Sequence, residues 1–223
     1  EPIYVQYWRF LSNALRGDLG ESVQSGESVS AMLAQRFPNT VALAVAAMIV
    51  AMIIGLTSGI IAAVKKGSVF DSASMVTALL GISLPNFWLG LMLMLIFAVR
   101  LRWFPVAGYN GQWWTVTGIK QLTLPAITLG VQTAALLARI TRSSMLEVMR
   151  ADFVRTARAK GLSQMVTIGK HVFRNALIPV ATVIGINFGG LLGGTVVTES
   201  VFAINGVGRT MVQAITSRDF PVV

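Results

Sequence analysis

The residues of this chain that could do chemistry are few, and most of them collect in one place. The stretch Ser144 to Pro179, SMLEVMRADFVRTARAKGLSQMVTIGKHVFRNALIP, carries Arg150, Arg155, Arg158, Lys160, Lys170 and Arg174 against Glu147 and Asp152. There is no cysteine and one histidine, His171, which excludes thiolate ligands, a cysteine nucleophile and a multi-histidine metal centre. What remains is electrostatic docking. Arg155, Arg158 and Lys160 offer charge to an acidic groove, and the small residues Thr156, Ala157, Ala159 and Gly161 let another surface come close. His171 sits between Lys170 and Arg174, where it reads as a loop residue rather than a pH switch.

Local signals give this stretch a shape. Ser144-x-x-Glu147 has capping-box spacing and predicts a helix start at the membrane surface. Leu146, Met149, Phe153 and Ala157 recur at steps of three or four and predict one apolar stripe. Gly161 can take the left-handed conformation that ends a helix, and Ser163 can cap the next one. The expectation is a helix, a glycine turn and a second helix on the cytoplasmic side. An amphipathic loop lying on anionic lipid accounts for the same residues.

The elements that must position this loop are apolar. Of 223 residues 54% are hydrophobic and 12% charged, about half the charged share of a soluble domain, and the mean hydropathy is +0.70. That composition belongs in a membrane and excludes a soluble enzyme, a disordered regulator and a fibre. Charge-free runs predict four spans, at about 38–64, 75–99, 121–145 and 175–198, the third extended if Arg139 and Arg142 snorkel. None alternates with a period of two, so a barrel does not fit. Residues 103–119, with Pro105, Gly108, Gly111, Gly118 and the pair Trp113-Trp114, read as an interfacial loop with an aromatic belt.

The formal charge of +9 reflects loops rather than nucleic-acid binding, because no basic face is interleaved with exposed aromatics. The dense basic loop 139–174 is expected on the cytoplasmic side. Alternation then places Lys65-Lys66 inside, and residues 1–37, 100–123 and the C-terminal tail outside. The expected division is an external segment 1–37 and a transmembrane domain 38–223 whose basic loop, 144–174, joins the third and fourth spans. An external N-terminal segment needs something upstream to carry it across, so the chain reads as a fragment or core of a longer protein.

The basic stretch resembles the cytoplasmic coupling loop of binding-protein-dependent ABC importer permeases. More narrowly, Arg155-Thr156-Ala157-Arg158-Ala159-Lys160-Gly161-Leu162 followed by Lys170 to Pro179 is similar to the dipeptide/oligopeptide/nickel permease family. Arg155-Thr156-Ala157 stands where Glu-Ala-Ala is general. Other segments resemble the B-type subunit of that family: Tyr7 to Leu11 leading to Arg16-Gly17-Asp18-Leu19-Gly20, the run Gly81 to Phe87, and Glu199 to Phe202 with Gly206-Val207-Gly208-Arg209. Asn205 replaces the usual Pro.

The resemblance implies an all-α polytopic bundle of the type I importer kind, in the plasma membrane of a bacterium or archaeon and the inner membrane if Gram-negative. It implies no catalytic or metal residue and no cofactor in this chain, ATP and Mg being used by two partner ATPase subunits. A second related permease, an external solute-binding protein and the bilayer are the other partners. The family's solutes are dipeptides, oligopeptides, glutathione and nickel; peptide is the default reading.

Within the spans, Pro85 breaks the helical hydrogen-bond ladder. Pro85, Asn86, Gln132 and Asn187 are candidate lining of the translocation path, although interhelical bonding explains the same polar residues. Gly185, Gly189, Gly190, Gly193 and Gly194 read as close helix packing in preference to a hinge. Glu199 reads equally as a contact for substrate or binding protein and as a structural partner of Arg209. A self-contained secondary transporter or channel is the alternative, but it would carry acidic residues within its spans, and these runs have none. A membrane scaffold without a path is a third reading, opposed only by the resemblance.

Overall fold

Two long apolar stretches dictate the frame, and both form longer helices than their charge-free runs. In the computed structural model, which describes residues 2–223, α1 spans Ile3–Leu15, α2 Val29–Val64, α3 Val69–Ser83 and α4 Asn86–Leu93, the last continuing as a π-helix over Met94–Arg100. Then follow α5 Val116–Val148, α6 Asp152–Ala159, α7 Gln164–Val166 with a π-helical stretch Thr167–Val172, α8 Phe173–Gly194, α9 Val196–Val201 and α10 Val207–Ser217. No strand occurs among the described residues. Three helical stretches are long and apolar enough to cross a membrane (Val29–Val64, Val116–Val148 and Gln164–Gly193), and Val69–Ser83 with Asn86–Arg100 is a fourth, bent by 102°.

The boundary expected at residue 38 is corrected. α2 begins nine residues earlier, with Pro38 inside it. Both Pro38 and Ala34, whose carbonyl loses its partner, are exposed, so the freed group is not stranded in the core. Arg36 does not end the helix because its guanidinium donates to Thr210 Oγ1 at 2.7 Å, while Val29 and Met32 are buried. Residues 1–37 therefore hold α1 and the first turns of α2. The fourth expected span, 175–198, is displaced likewise: helix runs from 164 to 194, and Thr195 separates it from α9.

α2 and α5 form the central pair. Gly55-x-x-x-Gly59 lies on the contact, where a Cβ at Gly55 would stand 2.8 Å from Ala134 O and one at Gly59 2.6 Å from Ala138 O. From the other side, a Cβ on Gly130 would stand 2.9 Å from Ala47 O. Small residues at this spacing let backbones approach and gain dispersion contacts where lipid offers no hydrophobic drive. Three buried clusters stack along the pair. Leu43, Leu122, Leu129, Phe202 and Ile204 belong to one end, Met48, Ala51, Leu137 and Val180 to the middle, and Ala63, Met145, Val154 and Val172 to the end bearing the basic loop.

The glycines of α8, expected at a close helix contact, face no other helix of the described chain at Gly185, Gly189, Gly190 or Gly193, where a Cβ would meet nothing within 4 Å; the surroundings of Gly194 lie outside the described residues. α8 is apolar yet mostly unburied, with Ile178 and Ile186 projecting outward. The two sets of glycines should thus respond oppositely to a methyl group. Gly59→Ala is expected to cost about 1–3 kcal/mol by overpacking, read as a lowered Tm in detergent. Gly189→Ala should leave Tm unchanged or raise it, since alanine favours helix.

Candidate functional site

The basic loop is built on the inner cluster of the bundle. α5 does not stop at Ser144, which is buried inside it; the capping-box spacing is present, but the helix is already running from Thr115 and simply continues to Val148. The chain then breaks at Arg150-Ala151, and α6 starts with Asp152 in its first turn and ends with Arg158 in its last. Both charges complement the helix dipole. This break also sets the phase of the apolar stripe. Val154 (0% exposed) and Ala157 (7%) face the core, whereas Phe153, expected on that stripe, points outward.

Ala157 is buried on the same side of α6 as Val154. Its methyl packs towards the chain's own bundle beside Val154, so a bulky substitution there would lift α6 off its seat. The exposed set is Arg155, Thr156, Arg158, Ala159, Lys160, Gly161 and Leu162. The Arg155–Asp152 pair, at 3.8 Å with both side chains mostly in solvent, holds little in place. Gly161 has φ +82, with its N–H donating to Arg158 O at 3.0 Å and Leu162 N–H to Ala157 O at 3.3 Å. These two bonds are the Schellman pattern. Ser163 then caps α7 by accepting from Val166 N–H, and the helix rejoins the core through Val172 and Ala176. The result is a short basic lever seated between the ends of α5 and α8.

The candidate path residues divide. Gln132, the 17th of the 33 residues of α5, donates Nε2 to Leu84 O at 2.9 Å. Leu84 is extended, as a residue before proline must be, and its carbonyl lies in the gap between α3 and α4. Gln132 thus satisfies the broken ladder. Asn86 opens α4 directly beyond exposed Pro85, and its Oδ1 is buried without a hydrogen-bond partner. These residues meet halfway along α5. Asn187 instead turns back on its own helix, donating to Val183 O at 2.8 Å.

Two polar assemblies stand at the ends of the bundle, and of their partners the sequence names only Arg209. At the loop end, Asp71 accepts from Arg142 Nε at 2.6 Å and Nη2 at 2.8 Å, and from Gly67 N–H at 2.9 Å. Arg142, expected to snorkel, instead fastens the α2–α3 turn to α5. At the far end, Glu199 is fully buried. It accepts from Thr40 Oγ1 and Thr195 Oγ1, each at 2.7 Å, and from the backbone N–H of Arg209 at 2.8 Å. Thr40 Oγ1 also accepts from Val207 N–H at 2.9 Å. Glu199 is accordingly a structural residue bonded to the Arg209 main chain, and Gly206 and Gly208 are small because side chains there would collide with it or with Val196.

A concavity of about 1040 Å³ lies between α2 and α5 and is lined by residues such as Val45, Ile49, Trp113, Trp114 and Ile127. It contains none of the candidate path residues. An almost wholly apolar lining lacks the convergent polar groups that orient a polar solute.

A carboxylate near the C-terminal end holds the loop that follows α1. Asp219 accepts from Ser22 Oγ and from Val23 N–H at 3.0 Å. The Ser22 bond, followed by the backbone donors, holds its carboxyl below the usual carboxylate range. A depressed folded-state value means that this contact stabilises at neutral pH and is lost only as pH falls through that value. The protection factor of the Val23 amide, exchange relative to the intrinsic rate at each pH, should thus fall in acid, and Asp219→Asn should remove that change in protection. At Glu199, a double-mutant cycle of Thr40→Ala and Glu199→Gln should give a coupling of about 0.5–3 kcal/mol, measured by unfolding in detergent.

Comparison with known proteins agrees with this geometry. The chain is 43% identical to a di/tripeptide transport system permease protein of Pseudomonas aeruginosa, covering 100% of this chain and 73% of the relative. It is 44% identical to a glutathione transport system permease protein of Escherichia coli, covering 100% and 71%. An inward-facing methionine ABC transporter structure superposes with a TM-score of 0.66 over 83% of this chain and 81% of that one, at 19% identity, which shows a shared fold. The family model for the binding-protein-dependent transport system inner membrane component matches residues 55–223, and the chain belongs to that family of membrane-spanning permease components.

Proposed function

We propose that this permease forms the translocation path for peptides or a related small solute, with a second related permease subunit, and is driven by two ATPase subunits that grip the basic loop. The observation that carries the reading is the seating of α6. Val154 and Ala157 fix one side to the ends of the spans, leaving Arg155, Arg158 and Lys160 to a partner. A partner that moves this helix necessarily moves what it is packed on. ATP can bias the spans only through contacts that differ between two states, and a seated lever offers such a contact. In this reading the loop end is cytoplasmic, as its charge density requires. ATP and Mg stay with the ATPases, and an external solute-binding protein delivers solute to the far end.

The open face of α8 supports the second permease. Ala181, Gly185, Gly189 and Gly193 recur every four residues and are exposed, a spacing that suits the close approach of another helix. The peptide class rests on the relatives, whose own solutes are di- and tripeptides and glutathione by name.

The test is purification of the full transporter with the triple variant Arg155→Glu, Arg158→Glu, Lys160→Glu beside the parent. The variant leaves Val154 and Ala157 seated, so the permease should fold with an unchanged Tm while ATPase co-purification and dipeptide uptake fall by about tenfold or more, given the several kcal/mol that like charges cost at an interface. Gly185→Leu with Gly189→Leu should release the second permease. Uptake that survives in the absence of any ATPase would identify a self-contained carrier and overturn the reading.

A further inference from the structure

α3 is fastened to the bundle mainly by polar groups. Its buried residues are Asp71, Ala78 and Gly81, while Phe70, Val76, Leu79 and Leu80 are all more than half exposed. Alanine and glycine make few dispersion contacts, so packing alone gives α3 a weak hold on α5. A groove of about 350 Å³, lined in part by Ala78, Gly81, Ala134, Ala135 and Ala138, keeps the middle of that contact shallow. What holds the helix stands at its two ends. Gln132 donates to Leu84 O just past the last turn, and Arg142 forks onto Asp71 in the first. Gln132 and Arg142 stand about 15 Å apart along α5.

The Asp71 fastener joins more than two groups. Bonds of 2.6 and 2.8 Å from Nε and Nη2 make a bidentate fork, which fixes direction as well as distance. Asp71 Oδ2 also accepts from Gly67 N–H at 2.9 Å, and Gly67 has φ +77, so the α2–α3 turn folds around the same carboxylate. Ser68 caps α3 by accepting from Asp71 N–H, and the helix dipole favours an anion in that first turn. Arg142, for its part, stands on the turn of α5 that meets three neighbours. Thr141 lies against α2, its Cβ 2.7 Å from where a Cβ on Gly59 would be. Arg142 holds α3, and Met145 shares a buried cluster with Val154 of α6. The lever and α3 are thus attached to the same turn of α5.

We propose that Asp71 and Arg142 are positioning residues for transport: through them α3, and with it the bent continuation Asn86–Arg100, follows α5 when α6 is displaced. This rests on the reading that ATPase subunits move α6. Without the fork, α3 would keep only the contacts of Ala78 and Gly81 and the bond from Gln132. Displacement of the lever would then reach α5 without carrying the start of α3. Neither residue belongs to α6, so removal of the pair changes the solute moved per ATP and leaves ATPase docking in place.

The experiment uses the full transporter in proteoliposomes with ATP and a dipeptide. Asp71→Asn with Arg142→Gln removes both charges together, so no ion is left unpaired. ATPase co-purification should persist and ATP hydrolysis stay within about twofold of the parent, while dipeptide imported per ATP falls about tenfold, a usual size for coupling between separate sites. Because the chain has no cysteine, Asp71→Cys with Arg142→Cys can be joined by bifunctional thiol reagents of graded length. Such a bridge restores the tie without the charge, so it should recover the import per ATP where the one-ended reagent does not. Spin labels at Ser72→Cys and Ser143→Cys, both exposed positions, give a direct reading. Their separation should not change with a non-hydrolysable ATP analogue in the parent, and should change in the neutral pair. Normal import per ATP in the neutral pair would overturn the proposal. So would a joint loss of uptake, ATP hydrolysis and Tm that no bridge restores. The lever reading fails by a different result, normal uptake in the charge-reversed triple variant of α6.

Discussion

The bundle depends on the backbone-to-backbone approach of α2 and α5. Inside a membrane apolar side chains gain little by leaving lipid for protein, so packing density decides whether helices stay together. Gly55, Gly59 and Gly130 place carbonyl oxygens of the partner where a Cβ would otherwise be. Once that seam is closed, α3 and α4 have a surface to lie on: Gly81 faces Val131 and Ala135, and Gly90 faces Thr128 and Phe202. The break at Pro85 is then affordable because Gln132 on the same helix reaches the stranded carbonyl.

Charge is used at the two ends of this seam rather than along it. At the loop end the Asp71–Arg142 fork is partly open to solvent, at 8% and 26% side-chain exposure, so neither ion is fully desolvated. At the far end Glu199 has no exposure at all. It relies on two hydroxyl donors and a backbone N–H at the start of α10, where the helix dipole favours an anion. Removing any one donor leaves the carboxylate underbonded in a low-dielectric site. The two ends thus tolerate disturbance differently, and the more rigid one is remote from the basic lever.

Much of this was legible in the sequence, and the misses share a cause. Absence of charge located the span interiors because burying an ion is costly. It failed at the ends, where Arg36 is accommodated by Thr210 and where α1 has helix periodicity without span-like hydrophobicity. Gly161 was readable because few residues other than glycine adopt its φ; Ser144 was misread because a local capping signal yields to a helix already propagating through it. The Phe153–Val154 error is one residue, or about 100°, and came from assuming an unbroken helix across Arg150-Ala151. Arg209 was legible as a structural partner of Glu199, but Thr40, 159 positions from Glu199, and Arg142, 71 from Asp71, were not, since nothing local in the sequence links them.

The inward face of α6 changes how the loop is understood. A lever that touched its own bundle only through the chain ends could swing freely, and a partner's movement would be absorbed in the two connections. Here Val154 shares a cluster with Ala63, Met145, Val172 and Ala176, so α2, α5 and α8 all end against one short helix. Displacement of α6 must either carry those helices together or open a cavity beneath Val154, which costs about 0.5–1.5 kcal/mol for each methyl-sized void. Close-packed contacts of this kind shift between discrete arrangements rather than yielding gradually.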